Sequence, residues 1–132
     1  MKAIPYLSFS GTCEEAVNFY QSVLGGTITS LKFKDMPSGD GVPLSEVMKE
    51  KIMHSALTFE DGNVLYFSDT WENAQIKLGD YATIHLVVDK EQDVYDIVEK
   101  LAVGGTITMP AEKTFWNSVY GSLIDKYGIS WG

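Results

Sequence analysis

His54 and His85 are the only histidines in this chain of 132 residues, so proton transfer or metal binding at neutral pH would have to start from them. A catalytic metal needs three or more converging ligands. Asp69 and Glu112 are the carboxylates that could join the two imidazoles, but nothing in the spacing brings the four together. A resident divalent metal is therefore disfavoured and no cofactor is expected. The histidines are read as hydrogen-bonded wall residues of a cleft, or as groups that touch an organic ligand or move a proton. Cys13, the single cysteine, falls at a predicted helix start, where the helix dipole lowers a thiol pKa. Glu14 and Glu15 oppose that effect, and the reading of Cys13 is structural. One cysteine forms no intramolecular disulfide, in keeping with a reducing compartment.

The elements that must position these groups are written twice. Gly-Gly-Thr-Ile-Thr occurs at Gly25 to Thr29 and at Gly104 to Thr108, an offset of 79 residues (104 − 25). Leu7-Ser8-Phe9 and Leu86-Val87-Val88 keep that offset. Each copy of the glycine pair follows an amphipathic helical pattern: Ala16, Phe19, Tyr20 and Val23 in the first, Val94, Ile97, Val98 and Leu101 in the second. Thr12 with Glu15, and Asp89 with Gln92, read as helix caps, and the glycines as terminators. Strands are predicted at residues 3 to 9, 26 to 34, 52 to 59 and 64 to 68, with a hairpin turn at Glu60 to Asn63. The second half reads as a strand at 81 to 88, a helix at 91 to 103, and strands at 106 to 109, 118 to 124 and 129 to 131. The prediction is an α+β domain of two βαβββ modules, about 1–69 and 81–132, joined by a linker at about 70–80. Segment 35 to 50, rich in Pro, Gly and acids, is expected to be a mobile loop with a helical turn at Ser45 to Lys49. Its acids lack the ligand spacing of a calcium loop.

Composition removes several classes of function. A formal charge of −8 argues against a polyanion partner, so no nucleic acid is expected. No run approaches the ~18 apolar residues of a membrane span and no secretory leader is visible, which predicts a cytoplasmic protein without a membrane partner. No Lys-Ser or Lys-Thr follows either glycine pair, as a phosphate-binding loop would require.

Pro5-Tyr6-Leu7-Ser8-Phe9-Ser10-Gly11, Glu15-Ala16, Phe19-Tyr20 and Leu24-Gly25-Gly26 together resemble the opening of PhnB-like members of the vicinal oxygen chelate superfamily, the glyoxalase and bleomycin-resistance fold. His54-Ser55-Ala56 and Ser68-Asp69 are similar to its middle. Met109-Pro110, Phe115-Trp116, Tyr120-Gly121, Asp125, Tyr127-Gly128 and Trp131 are similar to its closing signature. Asn117 stands where that group usually has glycine, Lys126 where proline is common and Ile129 where histidine is common. The resemblance implies two βαβββ modules forming a cupped mixed sheet with helices outside, commonly as a homodimer, with ligands inside the cup. Metal-dependent relatives draw His, Glu or Gln ligands from the first and last strands of each module. Here those places fall at Ile4 or Pro5, at Thr83 and near Gly132, which binds no metal in the usual way.

Strand alternation then turns Leu7, Phe9, Leu86 and Val88 toward the helices and Ile4, Tyr6, Ser8, Thr83 and His85 toward the cup. Tyr6, Tyr66, Phe115, Trp116, Tyr120 and Trp131 add flat side chains near strand ends, suited to a planar or partly apolar organic molecule, though packing in the core is the alternative for each. The expected ligand-binding set is Tyr6, His54, Tyr66, Ser68, His85, Trp116 and Tyr120, and the expected partner is a small organic molecule. No basic cluster accompanies the motifs, so a phosphonate is not expected. A metal-dependent lyase, isomerase or dioxygenase, and a structural or regulatory dimer, are the alternatives.

Overall fold

The computed structural model describes residues 1–37 and 43–132. Part of the predicted loop at 35 to 50, with Gly39 and Gly41, lies outside the described residues. Among those described, three helices and seven strands in two sheets make an α+β fold. The chain divides into two compact units, Met1–Lys77 and Leu78–Gly132.

In the first unit, β1 (Tyr6–Phe9), α1 (Cys13–Leu24), β2 (Thr27–Lys32), α2 (Glu46–Lys49), β3 (Ile52–Thr58) and β4 (Val64–Asp69) follow in order. The sheet order is β1-β4-β3-β2, with β1 parallel to β4 and the other pairs antiparallel. Period-two alternation in β4 buries Leu65, Phe67 and Asp69 and leaves Val64, Tyr66 and Ser68 half-buried. Phe9, Leu57 and Phe67 form the core with Cys13, Ala16, Val17 and Tyr20 of α1; of the four residues expected on that helix face, Ala16 and Tyr20 are buried and Phe19 and Val23 half-buried. The rings of Tyr20 and Phe67 stack at 5.9 Å. The helical turn α2 is capped by Ser45, whose hydroxyl accepts from the Met48 amide.

The cap of α1 is not the predicted one. Thr12 occupies the cap position but its side chain makes no capping bond. Asp69, at the end of β4 and buried, takes over. Its Oδ1 accepts from the amides of Gly11 (2.8 Å) and Cys13 (3.0 Å), and its Oδ2 from Ile52 (3.0 Å). A carboxylate satisfies more orphan donors than a threonine hydroxyl and favours the positive helix end, so the tertiary cap replaces the local one.

The second unit holds α3 (Glu91–Leu101), β5 (Thr106–Lys113), β6 (Val119–Ile124) and β7 (Ser130–Trp131), with sheet order β5-β6-β7. The strand predicted at 81 to 88 is reduced to one parallel bridge, Ile84 to Trp131. Only Ile84 and Leu86 of that segment are tied to the β7 region by backbone bonds, because β7 is two residues long. The helix cap differs as well. Lys90 rather than Asp89 occupies the cap position of α3, and Gln92 bonds Asp96 instead of closing a capping box. Asp125, also buried, organises the turn before β7: its carboxylate accepts from the amides of Tyr127 and Ile129 and, at 2.8 Å, from the indole N–H of Trp131. Trp131 is thereby a core residue. Strand β5 runs to Lys113, past the predicted end at Met109, with register shifts on either side of Met109.

The two units repeat residue by residue. Pro5 accepts from the Tyr66 amide, as Ile84 accepts from the Gly132 amide. Leu57 faces Leu65 across the β3–β4 ladder as Leu123 faces Trp131 across β6–β7, an offset of 66 residues (131 − 65) on this side of the sheet. Thr27 opposite Thr58 corresponds to Thr106 opposite Ile124, which carries the 79-residue offset (106 − 27). The repeated glycines now have distinct duties. Gly25 and Gly104 hold φ of +77° and +78° at the helix ends. Gly26 and Gly105 instead lie against a neighbouring strand, where an added Cβ would stand 2.8 Å from the Thr58 carbonyl oxygen and collide with that of Ile124.

Candidate functional site

On the first unit's sheet, the face away from α1 carries a cluster of three rings. Tyr6 of β1 and Tyr66 of β4 stand opposite each other in the parallel register, and Ala56, two residues on from His54 in β3, pairs with Tyr66. The Tyr6 hydroxyl is 3.2 Å from His54 Nδ1, and either tautomer of the imidazole satisfies the bond. His54 meets the edge of the Tyr66 ring at 4.7 Å, and Tyr6 meets it at 6.0 Å. Ser68 projects from the same face of β4, beside Ser8 of β1. Tyr6 is 50% exposed, so the cluster lies open on the face of its sheet. Its chemistry is that of two phenols and an imidazole: donors and acceptors on flat apolar bodies.

In the second unit His85 and Tyr120 stack at 6.0 Å with 20° between their planes. The two offsets relate them to the first cluster: His85 stands at the place of Tyr6 (85 − 79), and Tyr120 at that of His54 (120 − 66). The duplicated modules thus carry one tyrosine and one histidine at the same two places in exchanged order. At the third place Gly132 replaces Tyr66. A Cβ there would lie 2.8 Å from the Tyr120 hydroxyl and 3.5 Å from His85 Nδ1, so the glycine leaves room for the stacked pair. This exchange escaped the sequence reading, although aligning the modules on the repeated pentapeptide would have revealed its first member.

Trp116 is in the β5–β6 hairpin loop, 57% exposed and edge-on to Phe115 at 4.7 Å, and it lines the same cavity of the second unit as His85 and Tyr120. Asn117, beside it, adopts φ of +63°, the left-handed conformation for which glycine is the usual residue and asparagine a tolerated one. Asp69 is committed to three backbone amides, and Glu112 lies exposed on β5. Among the described residues no three His, Cys, Asp or Glu side chains gather as a metal would need. Cys13 is buried, and its thiol pKa is pushed far up, first by burial and then by the charges of Asp69 and Glu14. No helix among the described residues is long and apolar enough to cross a membrane.

Known proteins fit this arrangement. The chain is 29% identical to protein YjdN of Escherichia coli strain K12, over 99% of this chain and 92% of that protein. Its fold is similar to that of protein PA1353 from Pseudomonas aeruginosa, with 32% identity, a TM-score of 0.84 and coverage of 99% and 94% of the two chains. It is also similar to a Bacillus cereus structure described as "Putative 3-demethylubiquinone-9 3-methyltransferase, PhnB protein", with 26% identity, a TM-score of 0.73 and coverage of 99% and 96%. Residues 4–132 match the family described as Glyoxalase/Bleomycin resistance protein/Dioxygenase superfamily. With a duplicated βαβββ plan and a PhnB-like structural neighbour, the chain belongs to the glyoxalase/bleomycin resistance protein/dioxygenase superfamily.

Proposed function

We propose that this protein is a metal-independent binder of a small, planar organic molecule. The observation that carries the reading is the Tyr6–His54–Tyr66 cluster, held open on a sheet face with its hydrogen-bonding atoms linked to one another. A flat ligand gains contact area from Tyr66 and Tyr6, an orienting hydrogen bond from His54 Nε2, and a second from Ser68. His85, Tyr120 and Trp116 are the second unit's contribution to ligand contact. The reading also takes the protein to be one vicinal oxygen chelate domain acting as a cytoplasmic homodimer, as members of the superfamily commonly do.

The test is a screen of planar heterocycles and phenols against tag-free protein, read by calorimetry and thermal shift, with elemental analysis of the same sample. The expected result is a saturable ligand whose affinity falls about tenfold in His54→Ala and in Tyr66→Ala, each removing roughly 1.4 kcal/mol of binding, with metal content unchanged. Near-stoichiometric divalent metal that disappears in the double variant His54→Ala, His85→Ala would refute the reading and favour a metal-dependent lyase, isomerase or dioxygenase.

A further inference from the structure

Two rows of side chains cross the first sheet on the face away from α1. Tyr6, Tyr66, Ala56 and Thr29 stand in register along β1, β4, β3 and β2. Beside them run Ser8 and Ser68, partners on β1 and β4, and His54 and Leu31, partners on β3 and β2. Exposed hydroxyls elsewhere pair with one another, as Thr108 does with Ser122 at 2.7 Å and Thr83 with Ser130 at 2.9 Å. The hydroxyls of Ser8 and Ser68 have no hydrogen-bond partner among the described residues, and neither has His54 Nε2. Three polar groups in one row are therefore available to a ligand, and no charge stands among them. Lys32, at the end of β2, is held by Glu50 at 3.1 Å. Asp69, at the end of β4, is buried with Leu65 and Phe67 and spent on three amides.

Tyr6 decides how His54 meets a ligand. A phenol is a better donor than a neutral imidazole N–H, so the 3.2 Å bond runs from the Tyr6 hydroxyl to Nδ1 and leaves the ring proton on Nε2. His54 then presents a donor, and Ser68, on the neighbouring strand, presents an acceptor. We infer that the ligand of this site is an uncharged, planar cyclic amide, an inference that rests on the ligand-binding reading above. Its carbonyl accepts from His54 Nε2 and its N–H donates to Ser68 Oγ. A charged head group would exchange water for neutral partners only, which costs more than it returns. The flat body lies over Ala56, the smallest side chain of the two rows, with Tyr66 on one side and Thr29 on the other. In this arrangement Tyr6 is a positioning residue that sets the tautomer of His54, and Ala56 is a specificity residue that leaves room for the ring.

The probe is 1-isoquinolone, titrated into the full chain at mildly alkaline pH and followed by amide shifts, with the imidazole nitrogens of His54 read by NMR in isotope-labelled protein. Three results are expected on the unaltered protein: an Nε2–H tautomer at His54 before ligand is added, saturation in the submillimolar range, and about tenfold weaker binding of N-methyl-1-isoquinolone, which keeps ring and carbonyl but lacks the donor. Ser68→Ala should weaken the parent compound about as much and the N-methyl compound hardly at all. Tyr6→Phe should shift the imidazole nitrogens toward a mixture of tautomers, a change that lost packing alone does not produce. Ala56→Leu should abolish binding. An Nδ1–H tautomer in the free protein, equal binding of the two compounds, tighter binding of 1-naphthoate, or no saturation by millimolar 1-isoquinolone overturns the inference. The planar-ligand reading fails separately: it outlives each of these results if a phenol or 1-naphthoate binds and loses affinity in Tyr66→Ala.

Discussion

Replacing Asp69 by alanine removes the acceptor of three amides at once, those of Gly11, Cys13 and Ile52. A hydrogen bond to a charged group contributes ~1.5–3 kcal/mol, and a buried donor left without a partner costs ~1–3 kcal/mol. Gly11 is only half-buried and water can reach it, whereas the bonds to Cys13 and Ile52 are buried. Counting those two fully and the first weakly gives a loss of about 4 kcal/mol for Asp69→Ala. For a chain of this length that corresponds to a fall of roughly 10–20 °C in Tm. Asp69→Asn keeps the shape and one acceptor oxygen but sets an amide N–H against one of the backbone donors, and should cost about 2 kcal/mol. Thr12→Ala should cost less than ~0.5 kcal/mol, because that side chain caps nothing, whereas a working threonine cap would cost ~1 kcal/mol. Urea unfolding followed by circular dichroism measures all three. The reasoning is refuted if Asp69→Ala unfolds at the wild-type midpoint with an unchanged slope, or if Thr12→Ala is as damaging.

Other outcomes follow from the same structure. Gly26→Ala and Gly105→Ala should each destabilise by several kcal/mol through collision with a strand carbonyl, against about 1 kcal/mol for Gly25→Ala, where only the positive φ is at stake; thermal melts rank them. Iodoacetamide should leave Cys13 unmodified in the folded protein and label it rapidly in urea. Because burial raises the folded thiol's pKa, the stability tied to its neutral form is complete below the unfolded value of ~8.5 and declines as pH climbs above it. Cys13→Ala should flatten that alkaline decline. Glu50 is held below the usual glutamate pKa, first by hydrogen bonds from Lys34 and Lys32, so its contribution is present above the ordinary value and lost as pH falls through the lowered one. Carboxyl NMR should show that midpoint return toward normal in Lys34→Met.

The helices, the hairpin turns and most strands were legible because their signals are local: period 3.6 in Ala16, Phe19 and Tyr20, period two in β4, and glycines at the ends. The duplication was legible in the pentapeptide. The cap of α1 was not, since Thr12 with Glu15 carries a sound local signature and loses to a carboxylate 57 positions away (69 − 12). The failed strand at 81 to 88 has a good apolar pattern, but a strand also needs a partner on which to form its ladder, and β7 offers two residues. At the site, the residue types were readable and their grouping was not. Tyr6, His54 and Tyr66 come together through sheet register, which no single segment encodes, while Trp116, assigned by motif, reaches the cavity lined by His85 and Tyr120 from a hairpin loop.

The reach of Asp69 along the chain has a consequence for the order of folding. The first turn of α1 obtains its acceptor from a residue that appears only after β2, α2 and β3 have been laid down. An early α1 therefore frays at its start until β4 docks between β1 and β3, so helix initiation and closure of the first sheet become one event rather than two. Long-range coupling of this kind slows the search and sharpens the transition.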